Sequence, residues 1–464
     1  MAEQDSENAS TPGDADPLSG PDNAWRRMSD RENLMEITGL LFLEPPLDYE
    51  ELRTLVAERI VPFPRFRQRV VERSDERPAW ELDEEFDLDD HLEHVTIPGA
   101  QGETGLREYV TELTSGPLDP SKPLWQIYLV DGLEERNALV IRIHHSIGDG
   151  FALLYALYGL ADDPSKVELP VGSMPAPPAH RQPGTSSATQ ADRSVPLTDS
   201  GPSPSVPEHV LEALRRGWRG LNVVGTALRL LRLSEEPSTS LTGELTVRKN
   251  FAWTGRIPLE SIKQIGRATD ATINDVLLAA TAGAFREYLA GRGEALGRDL
   301  RCAMPVNLTP LEDRTATLGN ALGLGFVPLP VSIADPFDRV RRVSERTGKI
   351  KQGTEAYLTH LLLRLCGRGP RPLEKFLLGL FEKKASAVVT GVPGPIESFS
   401  LAGKTVCDML FWVPQTNGIG IGVSTFSYNG GVRVGITSDQ NLVSDPQLIA
   451  ERFSDEIEAM NGGL

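Results

Sequence analysis

Residues 144–150 read His-His-Ser-Ile-Gly-Asp-Gly. Two imidazoles stand side by side, and a carboxylate follows His145 four residues later, held between Gly148 and Gly150. A neutral imidazole can take the proton of an attacking hydroxyl and hand it to a leaving group, which makes His145, with His144 and Asp149 beside it, a candidate for general acid–base catalysis. Two other readings of the same residues stand open. The histidines can be packed core residues with Asp149 closing the turn. His145 and Asp149 can also be metal ligands, but no third and fourth ligand cluster lies nearby, so no metal is expected. Neighbouring strand residues point to opposite faces. One histidine is therefore left to face a reaction while the other packs or orients it.

The elements around this heptad place it. Ala138 to Ile143 is apolar and rich in β-branched residues, the pattern of a buried strand. The histidines fall where that strand ends, in a turn eased by Gly148 and Gly150, and Phe151 to Leu160 reads as an apolar helix. Pro123-Leu124-Trp125 leads into a second strand, Gln126 to Val130, and reads as an edge proline with a core tryptophan or as part of a substrate site. Asn274-Asp275 opens a helix over Ile273 to Ala290 whose cap Thr272 or Asn274 can supply. Further helices are expected at Leu47 to Ile60 and Leu259 to Ala268, and a strand at Leu300 to Val306. Gly418 to Ser427 and Val432 to Thr437 flank Tyr428-Asn429-Gly430-Gly431, a hairpin with Asn-Gly in its turn.

At 464 residues the chain predicts more than one core. Residues 1–23, polar and rich in Ala, Ser, Asp, Glu and Pro, read as a disordered tail, without the basic start and apolar run of a signal peptide. Residues 170–207 are Pro, Ser, Ala, Gly and Thr with almost no large apolar side chains, the composition of a linker. One lobe is expected at 24–169 and another at 208–464, both mixing strands and helices. A net charge of −18 excludes nucleic acid as a natural partner. Three widely spaced cysteines form no disulfide framework or zinc pattern, which fits a reducing cytoplasm, and no apolar stretch is long enough to span a bilayer. Leu211 to Leu233 carries five arginines against one glutamate, interleaved with Leu214, Trp218, Leu221 and Leu228. Lys375, Lys383 and Lys384 likewise surround Phe376-Leu377-Leu378 and Leu380-Phe381. Both stretches read equally as helices lying on an anionic lipid surface or as helices packed on the lobe with solvated charges.

Taken in order, these segments resemble the bacterial wax ester synthase/acyl-CoA:diacylglycerol acyltransferases. The resemblance starts at Pro46-Leu47-Asp48-Tyr49 and passes through Pro64-Arg65-Phe66, Phe86-Asp87-Leu88-Asp89, Pro123-Leu124-Trp125 and the histidine heptad. It resumes at Leu241-Thr242-Gly243-Glu244-Leu245 and runs through Asn274-Asp275, Gly319-Asn320, Val392-Pro393-Gly394-Pro395 and Ser427-Tyr428-Asn429-Gly430. One departure is Thr390-Gly391, where the family pattern has an asparagine before Val-Pro-Gly-Pro. It bears on substrate preference more than on the chemistry.

The resemblance implies an α/β, mixed-sheet architecture of two chloramphenicol-acetyltransferase-like lobes with an active-site tunnel between them. It implies acyl transfer from acyl-CoA, a co-substrate and not a bound cofactor, to diacylglycerol or a long-chain alcohol. It assigns the base to His145, makes His144, Asp149, Gly150, Asn274 and Asp275 motif residues, and places Pro123, Leu124 and Trp125 with the substrate. Hydrophobic products imply peripheral contact with the inner membrane surface or lipid inclusions. Two alternatives share the heptad or the surface chemistry: a stand-alone condensation domain using carrier-protein thioesters, and an idle lipid-binding protein.

Overall fold

In the computed structural model the strand that carries the histidines is the middle of a sheet, because its side chains are apolar on both faces. The structure describes residues 16–73, 77–98, 102–169, 226, 229–230, 232–308, 320, 322–351, 355–379, 383–415 and 418–464. The first half of the chain runs β1 (Asp16–Pro17), α1 (Gly20–Met28), β2 (Glu36–Glu44), α2 (Tyr49–Arg59), β3 (Gln68–Val71), β4 (Ala79–Leu82), β5 (Leu92–Thr96), α3 (Gly102–Leu113), β6 (Trp125–Leu133), β7 (Arg136–His144) and α4 (Gly150–Tyr158). The second runs β8 (Lys249–Trp253), β9 (Ile257–Pro258), α5 (Leu259–Thr269), α6 (Ile273–Gly291), β10 (Leu300–Asn307), β11 (Leu322–Leu329), α7 (Pro336–Lys351), α8 (Glu355–Arg368), α9 (Arg371–Gly379), β12 (Ala387–Pro393), β13 (Ser400–Leu401), β14 (Lys404–Trp412), β15 (Ile421–Tyr428), β16 (Gly431–Asp439) and α10 (Pro446–Gly462).

Two mixed sheets result. The first has the order β13-β14-β2-β7-β6-β5 and the second β11-β10-β12-β15-β16-β8, with β9 pairing β16. Strands β13 and β14 belong to the second half of the chain but complete the first sheet, β14 lying antiparallel to β2 with Leu410 opposite Leu40. A cut between 169 and 208 therefore divides the chain but not its sheets. The expected linker, residues 170–207, lies outside the described residues, as does most of 211–233.

A core of Leu40, Phe42, Val140, Phe251, Trp253 and Trp412 joins the two sheets. Polar ties accompany it: Trp412 Nε1 donates to the Ala252 carbonyl at 3.0 Å, and Arg433 Nε to Asp408 at 2.6 Å. The β15–β16 turn is the Asn-Gly turn expected, with Asn429 at φ 45° and Gly430 at φ 75°. No helix among the described residues is long and apolar enough to cross a membrane.

Residues 16–23, expected at the end of a disordered tail, are built into the fold. Leu18, Asp22 and Asn23 are buried, and Ser19 caps α1 by accepting from the Asp22 N–H at 3.2 Å. Helix α1 leaves its own half of the chain to pack on α8, where Gly20 and Gly367 bring the backbones into contact and Asn23 Nδ2 donates to the Gly367 carbonyl at 2.7 Å.

Candidate active site

Strand β7 is pinned just before its last residue. Arg142 clasps the Glu36 carboxylate of β2 at 3.1 Å from Nε and 2.6 Å from Nη2, and the other carboxylate oxygen accepts from the Leu118 N–H at 3.0 Å. Glu36 is also the register partner of His144. Both ions are buried, and a pair in which two guanidinium donors share one carboxylate oxygen while the other oxygen is satisfied by a backbone N–H holds one geometry.

His144 is locked two ways. Its backbone N–H donates to the Leu124 carbonyl at 3.0 Å, and its Nδ1 accepts from the Ser146 N–H at 3.1 Å with Ser146 Oγ at 2.8 Å. Nδ1 thus holds the lone pair and Nε2 the hydrogen. Burial, then the neighbouring His145 and Arg26, drive its pKa down to about 3, so this ring is a neutral anchor.

His145 starts the turn, its N–H donating to the Met35 carbonyl at 2.7 Å. Its ring stacks on Trp25 of α1 with centroids 4.1 Å apart and planes 16° from parallel. The residue is only 5% exposed, and Nδ1 is buried with no hydrogen-bond partner. Burial lowers the ring's pKa, while the charge of Asp149 and the Asn320 amide oppose that shift. Asp149 is fully buried behind the turn, and its charge acts on both His145 and Asp22. The two histidines differ as strand alternation predicts: one is anchored within the turn, the other laid against α1.

Two residues outside the expected site, Asn320 and Asp22, close the constellation. Asn320, just before β11, donates from one amide nitrogen to the His145 carbonyl at 2.8 Å and to Asp22 Oδ1 of α1 at 2.8 Å. Asp22 is buried, and burial raises its pKa against hydrogen bonds from Ser19 and Asn320. A single amide therefore ties three segments: α1, the heptad turn and the second half of the chain. Ser19-Gly20-Pro21-Asp22 does carry a helix-start signature, a cap followed by proline and an acid, with Trp25 and Met28 spaced to share one face. The acidic, Pro- and Ser-rich composition around it hid that signal. Asn320 belongs to the Gly319-Asn320 pair of the resemblance, which gives it no role at the site.

Other expected site residues sit elsewhere. Trp125, expected with the substrate, is a core residue: its indole donates to the Phe66 carbonyl at 2.9 Å and its ring stacks on His91 at 4.5 Å. Pro123 and Leu124 are buried beside it, and Leu124 contributes the carbonyl that holds His144. This triplet lines neither of the two cavities described in the fold. Thr272, not Asn274, caps α6 in a reciprocal box with Asp275, and Asp275 also accepts from Thr347 of α7 at 2.6 Å, a strut between helices. Asn274 Oδ1 faces Gly391 of β12, where a Cβ would approach it to 3.2 Å. Gly150 starts α4. Among the described residues, no three His, Cys, Asp or Glu side chains are grouped to hold a metal ion.

Two family models match along the chain: the wax ester synthase/diacylglycerol acyltransferase catalytic domain over residues 18–277, and the corresponding C-terminal domain over 318–461. The chain belongs to this family. It is an acyltransferase, and the activity of the family is O-acyl transfer from acyl-CoA.

Relatives agree. A probable diacylglycerol O-acyltransferase of Mycobacterium tuberculosis is 28% identical over 443 residues, covering 92% of this chain and 91% of its own. A second mycobacterial protein, a putative diacylglycerol O-acyltransferase of Mycobacterium bovis, is 27% identical over 402 residues, covering 83% of this chain and 77% of its own. In fold the acyltransferase is similar to the wax ester synthase/diacylglycerol acyltransferase of Marinobacter aquaeolei VT8, with a TM-score of 0.68, 20% identity, and coverage of 97% of this chain and 100% of that one. It is also similar to the first condensation domain of the calcium-dependent antibiotic synthetase, with a TM-score of 0.62, 15% identity, and coverage of 97% of each chain. At that identity the second likeness is of fold alone, so the condensation-domain reading is not favoured.

The largest described cavity of the acyltransferase, about 980 Å³, opens between the end of α1, the 235–245 segment and α9. Its wall includes Met28 but neither Trp25 nor His145. The open passage expected to reach His145 is thus not completed by this cavity, and Trp25 lies flat on the imidazole. The family's asparagine before Val-Pro-Gly-Pro falls on Gly391, against Asn274 and Thr425, so the departure in sequence sits on the β12–β15 edge and not in the heptad turn.

Proposed function

We propose that this acyltransferase moves a long-chain acyl group from acyl-CoA to the free hydroxyl of diacylglycerol, of a long-chain alcohol, or of both, with the His145 imidazole as general base. The observation that carries the assignment is the contrast between the two histidines. The Nδ1 of His144 is engaged by both the N–H and the Oγ of Ser146, whereas the His145 ring has no hydrogen-bond partner at Nδ1 and stacks on Trp25.

In this reading Nδ1 carries the ring hydrogen of His145 and Nε2 takes the hydroxyl proton as the alcohol oxygen attacks the thioester carbonyl. The carbonyl oxygen becomes an oxyanion, the carbon–sulfur bond breaks, and the imidazolium returns its proton to the departing CoA thiolate. No acyl-enzyme forms, so no nucleophilic Ser or Cys is needed. Burial keeps the ring neutral and ready to accept a proton. The nearby Asp149 carboxylate favours the imidazolium as it forms and holds the turn.

Because the acceptor is a lipid, the protein works at a lipid surface without crossing it. Feeding labelled palmitoyl-CoA with diacylglycerol or with hexadecanol, and separating the lipids formed, tests the reading. Labelled triacylglycerol or wax ester supports it. Free palmitate alone, or no turnover with either acceptor, rules it out.

A further inference from the structure

Helices α8 and α9 present an outer face unlike the rest of this acidic chain. Leu361, Leu365 and Phe376 are 39, 49 and 62% exposed, three of the large apolar side chains most open to water. Leu361 and Leu365 are four residues apart, one above the other on α8. Around them stand Arg364, Arg368, Arg371 and Lys375, with Lys383 beyond the end of α9, and none forms an ion pair with a carboxylate among the described residues. The two acids of these helices are turned inward: Glu355 is buried against Arg229, and Glu374 is buried beside Arg27. Among the described residues of α8 and α9, the exposed charges are therefore all cations, on a protein of net charge −18.

Its position adds the second argument. Arg371, Lys375, Leu378 and Lys383 also reach the wall of the 980 Å³ cavity, whose other side chains include the acids Asp30, Glu32, Glu235, Glu236 and Glu244. Leu377 and Leu378 root α9 in a cluster with Trp25, Met28 and Leu363, and Trp25 is the ring stacked on His145. A path of side chains runs from the exposed Phe376 through this cluster to the catalytic imidazole.

We infer that the outer face of α8 and α9 is a docking surface for an anionic phospholipid bilayer, holding the acyltransferase against the membrane that contains the acceptor. The inference rests on the reading that the acceptor is a lipid. Phe376, Leu361 and Leu365 enter the interfacial zone, where apolar side chains are removed from water, while the arginines and lysines meet lipid phosphates. On a chain of net charge −18, a cationic face also favours one orientation on an anionic membrane.

The test uses the full chain and sedimentation with phosphatidylcholine vesicles, with and without phosphatidylglycerol. Binding is expected only with phosphatidylglycerol present and should disappear in high salt. The double variant Leu365→Ser/Phe376→Ser is expected to weaken it by roughly tenfold or more, and Arg368→Glu by roughly thirtyfold. Both variants should match wild type on acceptor presented in detergent micelles yet fall behind it on acceptor embedded in anionic vesicles. Absence of vesicle binding, or binding these substitutions leave unchanged, overturns the inference. So does a concentration-dependent dimer that the variants dissolve in the absence of lipid, because the face would then cover a second copy. Lack of ester formation in micelles would strike the acyl-transfer reading, while sedimentation judges the docking face separately.

Discussion

With one amide nitrogen Asn320 reaches both Asp22 and the His145 carbonyl, so truncating it leaves two buried acceptors without their donor. The His145 turn then loses its bond to the second half of the chain. Asn320→Ala is expected to lower kcat by roughly 10- to 100-fold through misplacement of the ring, with little change in KM for acyl-CoA. Asp22→Asn keeps an accepting oxygen and should lose much less. Steady-state kinetics on both variants checks this, and an Asn320→Ala enzyme with wild-type kcat would remove the positioning role. The heptad itself was legible because its chemistry is local: residue types, spacing and a strand ending. Asn320 was legible only as part of the Gly319-Asn320 pair; its bridging role was not, since a side chain that joins distant segments leaves no pattern around it.

The same residues set a pH dependence. His144 and His145 are held neutral by burial, so their folded pKa values lie below the ordinary 6.5. Between the depressed and the ordinary value the unfolded chain binds more protons, and stability falls as pH falls. For His144, at about 3 when folded, the stability is fully present above pH ~6.5 and is lost progressively towards pH 3; the loss amounts to about 2 kcal/mol at pH ~5. Thermal melts between pH 7 and 5 should show this slope, and His144→Gln, which removes the titrating ring, should flatten it. An equal slope in the variant would mean that other groups carry it.

Among the elements, the position of α1 decides whether Trp25 lies on His145. That position depends on Gly20 and Gly367, because a Cβ on residue 367 would come within 1.6 Å of the Gly20 carbonyl oxygen. Gly367→Ala must push α1 off α8. It is expected to cost about 1–3 kcal/mol and to reduce turnover together with stability. Gly291→Ala, with nothing within 4 Å of the added carbon, serves as the control that leaves both unchanged. Melting temperature and turnover measured side by side check the pair. Most elements were readable from periodicity: β7, α5, α6 and the β15–β16 hairpin lie within a few residues of where the pattern puts them. The membership of β13 and β14 in the first sheet was not readable. Their alternation specifies a strand, whereas the partner is chosen by burial against β2 and by the joint core around Trp412.

Across the whole molecule, charge and apolar surface are distributed with a purpose that composition alone conceals. A net charge of −18 describes the average, yet α8 and α9 turn their acids inward and their cations out. The two-lobe reading from sequence treats the lobes as separable, while α1 crosses in one direction and β13–β14 in the other. Those exchanges bring the heptad turn, Asp22 and Asn320 to one point, where the His145 ring is left with a stacking partner and no hydrogen bond at Nδ1. The most direct measurement is the turnover of purified His145→Ala with labelled palmitoyl-CoA and a lipid acceptor, with folding verified by its melting temperature. Ester formation should fall by roughly 10²-fold or more in a protein that melts as a folded chain. A folded variant that still makes ester at near-normal rate would contradict the account.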